Sequence, residues 1–303
     1  MKRERDQTGN SNIVLVWNPE EWGTERPFYD AVWKTKMVPG WEPAAGSNGN
    51  REAWDLADAE KEKAVLLTCS DQGIAAAHRW RLPVIAIRNE EFWREHGVQS
   101  LFGAPVLLED AEALTGDLLE TVWKRFYGIP LVIGETARCR IREIGGKDLR
   151  QLYEASGGVI HEGQPEAAGR SWEEYREFWD AYLRNQYTFY GYGLWLAEEK
   201  EQAGGLLGLA GFSDAEELSY WIVPEKRRRG YAREICSFLL EYAGENLGWK
   251  RVCARIREDN FPSLDLAESL GFCRIRRYQE KGVWVSEWRA VIPKEFGWRA
   301  WVK

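Results

Sequence analysis

The chain has no apolar run approaching the roughly 20 residues that a membrane helix needs; stretches such as VLLTC and IVLVW are as long as it offers. No membrane partner is expected. Cysteine is scarce too, and Cys69, Cys139, Cys236, Cys253 and Cys273 are odd in number and widely spaced. That suits reduced thiols better than disulfides or a zinc site, so no metal is expected. The opening MKRERDQTGNSN lacks the apolar core of a secretion signal, and a cytoplasmic location is expected. Positive charge is also short: the net charge is -7 and the pI about 5.4, which argues against a nucleic-acid partner. What the chain does have is length and aromatic mass. Its 303 residues suit about two domains, and its 17 Trp can fill cores or wall a pocket.

The first segment, 1–133, reads as a Rossmann-like α/β domain. IVLVW (Ile13 to Trp17) and AVLLT (Ala64 to Thr68) are buried-strand candidates. In CSDQGIAAAHRWRLPVIAI, Ser70 or Asp71 can cap a helix that ends before Pro83, and VIAI returns as a strand. APVLLEDAEAL repeats the strand-then-helix pattern.

CSDQGIAAAHRWRLPVIAI resembles the late βαβ segment of haloacid-dehalogenase-like phosphatases. That resemblance implies a metal-binding role for Asp71, whereas a local reading makes it a helix cap; the helix cap is favoured. An active phosphatase needs an Asp nucleophile after the first strand, and here the strand continues Asn18-Pro19-Glu20-Glu21. The segment is therefore expected to be non-catalytic.

The second segment, 134–303, is a denser mixture. CRIREIGGKDLRQLYEASGG reads as strand, turn and helix, and SWEEYREFWDAYLRNQYTFYGYG as an aromatic amphipathic helix. Strand candidates follow at GLWLAEE, LLGLAGFS and ELSYWIV. After a basic run, Ala232, Ile235, Phe238, Leu239 and Tyr242 mark one helix face. RVCARI, NFPSLDLAESLGF and VWVSEWRAVI then read as strand, helix and strand.

The basic run, VPEKRRRGYAREI, is unexpected in an acidic chain. A strand, a tight loop and a helix opening at Gly230 together make an anion site, because the first N–H groups of a helix lack internal partners and the aligned peptide dipoles place positive charge there. Glycine allows close approach, and arginines can fork onto phosphate oxygens. A diphosphate is the expected ligand.

Arg227-x-x-Gly230-x-Ala232 fits the acyl-CoA signature of the GNAT N-acetyltransferase superfamily, and the order of elements around it resembles that family from about Ala137 to Ile292, most of all its ribosomal-protein-alanine acetyltransferase branch. The resemblance implies a GNAT acyl-CoA N-acyltransferase α+β domain that takes acetyl-CoA as co-substrate. It further implies that backbone groups of Ile222 and Val223 pair with pantetheine amides and that the N–H groups of Arg228, Arg229, Gly230, Tyr231 and Ala232 hold the pyrophosphate. Arg227, Arg229 or Arg233 would add charge, and Asn260 would contact the pantetheine arm.

The implied reaction is attack of a neutral amine on a thioester. Glu217 is the first candidate for the base, with Glu216 and Asp214 as alternatives. Many relatives place a proton-donating Tyr where this chain has Ala267, so the resemblance implies Tyr231 or Tyr220 as the donor instead, or no side chain at all. His161, in VIHEGQ, is given little catalytic weight, since a lone His is more often structural. The acceptor is a primary amine of a small molecule or peptide N-terminus. FYGYG could wall an apolar pocket, and Glu162, Glu173 and Glu174 would favour a cation. A homodimer is compatible with the sequence. The alternative function is a non-catalytic acyl-CoA sensor coupled to a degenerate haloacid-dehalogenase-like domain.

Overall fold

The computed structural model describes residues 12–17, 33–38, 62–159, 170–187, 190–201, 205–213 and 216–292. Its contacts divide the chain into two compact units, 1–129 and 130–303. The expected boundary at 133/134 falls four residues later, inside a strand of the second unit.

In the first unit, β1 (Asn12–Trp17), β2 (Trp33–Val38), β3 (Ala64–Thr68), β4 (Val84–Ile87) and β5 (Val106–Leu108) form one parallel sheet in the order β2-β1-β3-β4-β5. WKTKMV, which becomes β2, went unread because its lysines interrupt any apolar run. β3 and β4 are buried throughout, as strands covered on both faces are. Helix α1 (Asp71–Trp80) joins them, with Ser70 as its cap accepting from the Gly73 N–H. Asp71 does something else: its carboxylate accepts the amides of Ser100 and Leu101, at 3.0 and 2.7 Å. It ties down a loop 30 residues away, so the expected helix-cap role passes to Ser70. Helices α2 (Glu90–His96) and α3 (Gly116–Phe126) follow β4 and β5.

The second unit is built on an eight-stranded sheet. β6 (Val132–Glu135) and β7 (Cys139–Arg142) lead into α4 (Asp148–Ser156) and α5 (Trp172–Ala181). A capping box at Ser171 and Glu174 starts α5, and a π-helical turn, Tyr182–Tyr187, continues it. β8 (Leu194–Glu199), β9 (Gly205–Ser213) and β10 (Glu217–Ile222) form a meander. A short 3-10 turn, Pro224–Lys226, precedes α6 (Tyr231–Glu245). β11 (Arg251–Arg257), α7 (Phe261–Ser269), β12 (Cys273–Glu280) and β13 (Val283–Val291) complete it.

The sheet order is β12-β13-β11-β10-β9-β8-β7-β6. Every pairing described in it is antiparallel except β10 with β11, which run parallel because α6 carries the chain back from the end of one to the start of the other. Alternation along β10 separates two cores. Leu218 and Ile222 pack with Ile235 and Leu239 of α6, while Trp221 packs with Leu152, Tyr175 and Trp179 of α4 and α5.

Candidate active site

β10 and β11 meet only at Glu217 and Cys253 and diverge from there. The divergence leaves the inner edge of β10 without a partner strand. Register identifies which groups lie on that edge: the Val223 amide donates to the Leu207 carbonyl of β9 at 2.9 Å, and in an antiparallel ladder the direction alternates by residue. The main-chain groups of Leu218, Tyr220 and Ile222 therefore face the gap. Val223 does not qualify, since its amide is taken by Leu207 and its carbonyl accepts from Lys226 at 3.0 Å. Of the expected Ile222 and Val223 pair, Ile222 offers its main chain to the gap, as Tyr220 does, and Val223 does not.

A cavity of about 1180 Å³ fills the gap. Leu218, Tyr220, Ala254 and Ile256 line it from the α6 side, and Glu217, Ser219, Trp221, Arg255 and Arg257 line it as well. Neighbouring residues of a strand point to opposite faces, so residues of both faces of β10 and β11 border the cavity.

The open end carries the expected anion loop. Arg228 has φ 58° and Gly230 φ 82°, two left-handed residues that turn the chain sharply into α6. Gly230 is the cap residue and makes no side-chain cap bond, so the first N–H groups of α6 are presented at the open end. The four basic residues separate. Lys226 pairs with Glu199 at 2.6 Å, and Arg227 Nε donates to the Ile222 carbonyl at 2.8 Å. Arg228 and Arg229 are exposed, and Arg233 reaches the Ser269 carbonyl at 3.5 Å. Gly230, Ala232 and Asn260 line the cavity, and Asn260 caps α7 by accepting from the Ser263 N–H at 3.4 Å.

The loop is held by residues that no local signal marks. Arg138, in the β6–β7 turn, donates to Glu234 of α6 through its Nε at 2.7 Å and to the Arg229 carbonyl through Nη1 at 3.0 Å. Its guanidinium lies 4.5 Å from the Tyr231 ring centre. The Tyr231 hydroxyl donates to Glu199, the carboxylate that also takes Lys226. Lys226 first and Tyr231 second hold the Glu199 carboxyl below its ordinary range, and the bond to Glu199 pushes the Tyr231 phenol up. Burial pushes the Glu234 carboxyl upward, but hydrogen bonds from Thr136 and Arg138 outweigh it and leave the group below its ordinary value.

Tyr231 is thus committed at the anion end. Glu217 stands at the other end of the six-residue β10, roughly 17 Å of strand away at about 3.3 Å per residue. The two expected catalytic side chains are not brought together. Tyr220, in the middle of β10, instead reaches across the gap to Ser263 of α7, with 2.9 Å between hydroxyls. Ser263 lies one helical turn before Ala267 on the same face of α7. Glu217 sits at the closed end, 18% exposed, with Arg255 Nε donating to it at 2.8 Å. Glu216 is turned to Arg251. His161, Glu162, Phe189 and Asp214 lie outside the described residues.

Residues 138–273 match the acetyltransferase (GNAT) domain family. The C-terminal half carries a GNAT acetyltransferase domain. An N-acetyltransferase 9-like protein of Caenorhabditis briggsae is 41% identical over 64 residues, 20% of this chain and 32% of that protein. The match thus spans about a third of the relative's length. Among solved structures, a putative GnaT-family acetyltransferase from Bordetella pertussis is 21% identical and aligns with 52% of this chain and 98% of its own, with a TM-score of 0.45. RimL, a ribosomal alpha-N-protein acetyltransferase in complex with coenzyme A, is 15% identical and aligns with 55% of this chain and 100% of its own, with a TM-score of 0.47. The matched range in the acetyltransferase domain includes β10, the anion loop, α6, β11 and α7.

Proposed function

We propose that the protein is an acetyl-CoA-dependent N-acetyltransferase that acylates a primary amine, on a small molecule or a peptide N-terminus. One observation carries the reading: a parallel strand pair splayed open, with a basic loop and a helix N-terminus at its open end and a carboxylate at its closed end.

The donor lies along β10, its diphosphate on the N–H groups from Arg228 to Ala232, with Arg229 and Arg233 adding charge. Pantetheine amides pair with the main chain of Ile222 and Tyr220 as an added strand would. Arg227 yields or shares the Ile222 carbonyl, and the Asn260 amide contacts the arm. The amine enters from the face of the sheet that carries Glu217, which accepts its proton directly or through water. Attack on the thioester carbon forms a tetrahedral oxyanion, steadied by a gap-facing N–H of β10; the C–S bond then breaks and the thiolate leaves. Tyr220, joined to Ser263, is the proton donor to that thiolate in place of Tyr231. The first unit is a Rossmann-like, non-catalytic domain, and both Asp71 carboxylate oxygens already accept backbone amides there.

Incubation of the full chain with acetyl-CoA and a panel of amines, with free thiol measured, tests the reading. Amine-dependent thiol release is expected; its absence across small amines and peptides alike would overturn it.

A further inference from the structure

We propose that the site is shaped for a donor whose acyl chain is longer than acetyl. The proposal rests on the acyl-CoA reading above and extends it to the acyl group.

A donor anchored at the Arg228–Ala232 loop extends toward the closing pair of Glu217 and Cys253. From Ile222 back to Leu218 the strand covers roughly 13 Å, at about 3.3 Å per residue, so the thioester and acyl group arrive near Leu218 and Ala254. There the α6 side of the cavity is walled by Leu218, Cys236, Ala254, Ala267, Leu270 and Phe272. All six are less than 9% exposed and none carries a charge. Burial pushes the Cys236 thiol up, so it too stays neutral.

The part of the cavity along this apolar wall favours neither the amine nor its carboxylate base, since Glu217 lies on the other face of β10 beside Arg255. Left empty, it forfeits dispersion contacts on every wall. An acetyl group brings one methyl to this region. Ala267 contributes only a Cβ at the position where a tyrosine would have occupied the space, and Ala254 leaves similar room from the strand side. An acyl chain of about four carbons recovers those contacts in line with the pantetheine arm, without displacing any polar group.

Calorimetric titration of the full chain with coenzyme A, acetyl-CoA, butyryl-CoA and hexanoyl-CoA decides the matter without knowledge of the acceptor. Burying a methylene is worth about fourfold in affinity, so butyryl-CoA is expected to bind roughly 15-fold more tightly than acetyl-CoA. Ala267→Phe should remove most of that gain; Ala254→Val is the milder second variant, and coenzyme A titrated into each shows whether the diphosphate end still forms. Equal or weaker binding of butyryl-CoA overturns the proposal while leaving the acetyltransferase reading in place. Failure of the unmodified chain to bind coenzyme A at all removes both.

Discussion

Arg138 and Glu234 are 96 residues apart, and the Arg138 guanidinium meets the Glu234 carboxylate through Nε and Nη2, each at 2.7 Å. The same guanidinium holds the Arg229 carbonyl, so the pair fixes the anion loop against the β6–β7 turn. Arg138→Ala frees that loop and removes one charge-assisted contact. Taking the lower end of such contacts, about 1.5 kcal/mol, the dissociation constant for coenzyme A should rise roughly 10-fold. Calorimetry on the variant checks this, and unchanged affinity would show that the loop holds itself.

Gly230 is required by its backbone. At φ 82° a side chain costs about 1–2 kcal/mol, and a Cβ there would sit 3.3 Å from Arg138 Nη2. Gly230→Ala should weaken coenzyme A binding several-fold. Gly230→Glu adds a negative charge beside the anion and draws Arg138 away from the Arg229 carbonyl, so binding should become unmeasurable while circular dichroism stays that of the parent.

Tyrosines at the two ends of the gap should separate in kinetics. Tyr220→Phe removes the hydroxyl that reaches Ser263 and should lower kcat by about 10- to 100-fold, toward the lower range for loss of a general acid. Tyr231→Phe loses the bond to Glu199 and should raise KM for the acyl donor with kcat nearly intact. Glu217→Gln should lower kcat by about 10²- to 10⁴-fold without weakening coenzyme A. If Tyr231→Phe and not Tyr220→Phe depresses kcat, the assignment of the proton donor is reversed.

Acid should loosen the support beneath the loop. The Glu199 carboxyl titrates below its ordinary value of 4.5 in the folded chain. Its stabilisation is therefore fully present above that value and is lost as the pH falls through the folded one. The Tyr231 phenol is raised above 10.0, so its contribution is present below pH 10 and lost as the pH climbs beyond it. Melting temperatures from pH 3 to 11 should fall off less steeply at the acid end in Glu199→Gln than in the parent; identical acid limbs would mean that Glu199 does not stabilise the fold.

Local pattern was enough to place AVLLT, VIAI, ELSYWIV and RVCARI as strands and the turn at Gly230 as a helix start. Apolar periodicity and the conformational needs of glycine act over a few residues. β12 was not legible: CRIRRYQE is an exposed edge strand whose arginines give no apolar signal. The same limit hid Arg138, Glu199 and Glu234, ordinary surface types until β7, β8 and α6 bring them to one loop.

The sequence by itself determined the Arg227-x-x-Gly230-x-Ala232 pattern, the alanine at position 267 and, β12 apart, the order of elements from β7 onward, since each is a property of short stretches. Tertiary structure decided which backbone groups face the gap, because strand register is set by pairing between distant segments, and Val223 faces β9 while Tyr220 faces the gap. It also decided what the basic run does. Ion-pair and hydrogen-bond partners sort basic side chains by position: Lys226 turns to Glu199 and Arg227 to the Ile222 carbonyl, while the Arg228 and Arg229 side chains are exposed.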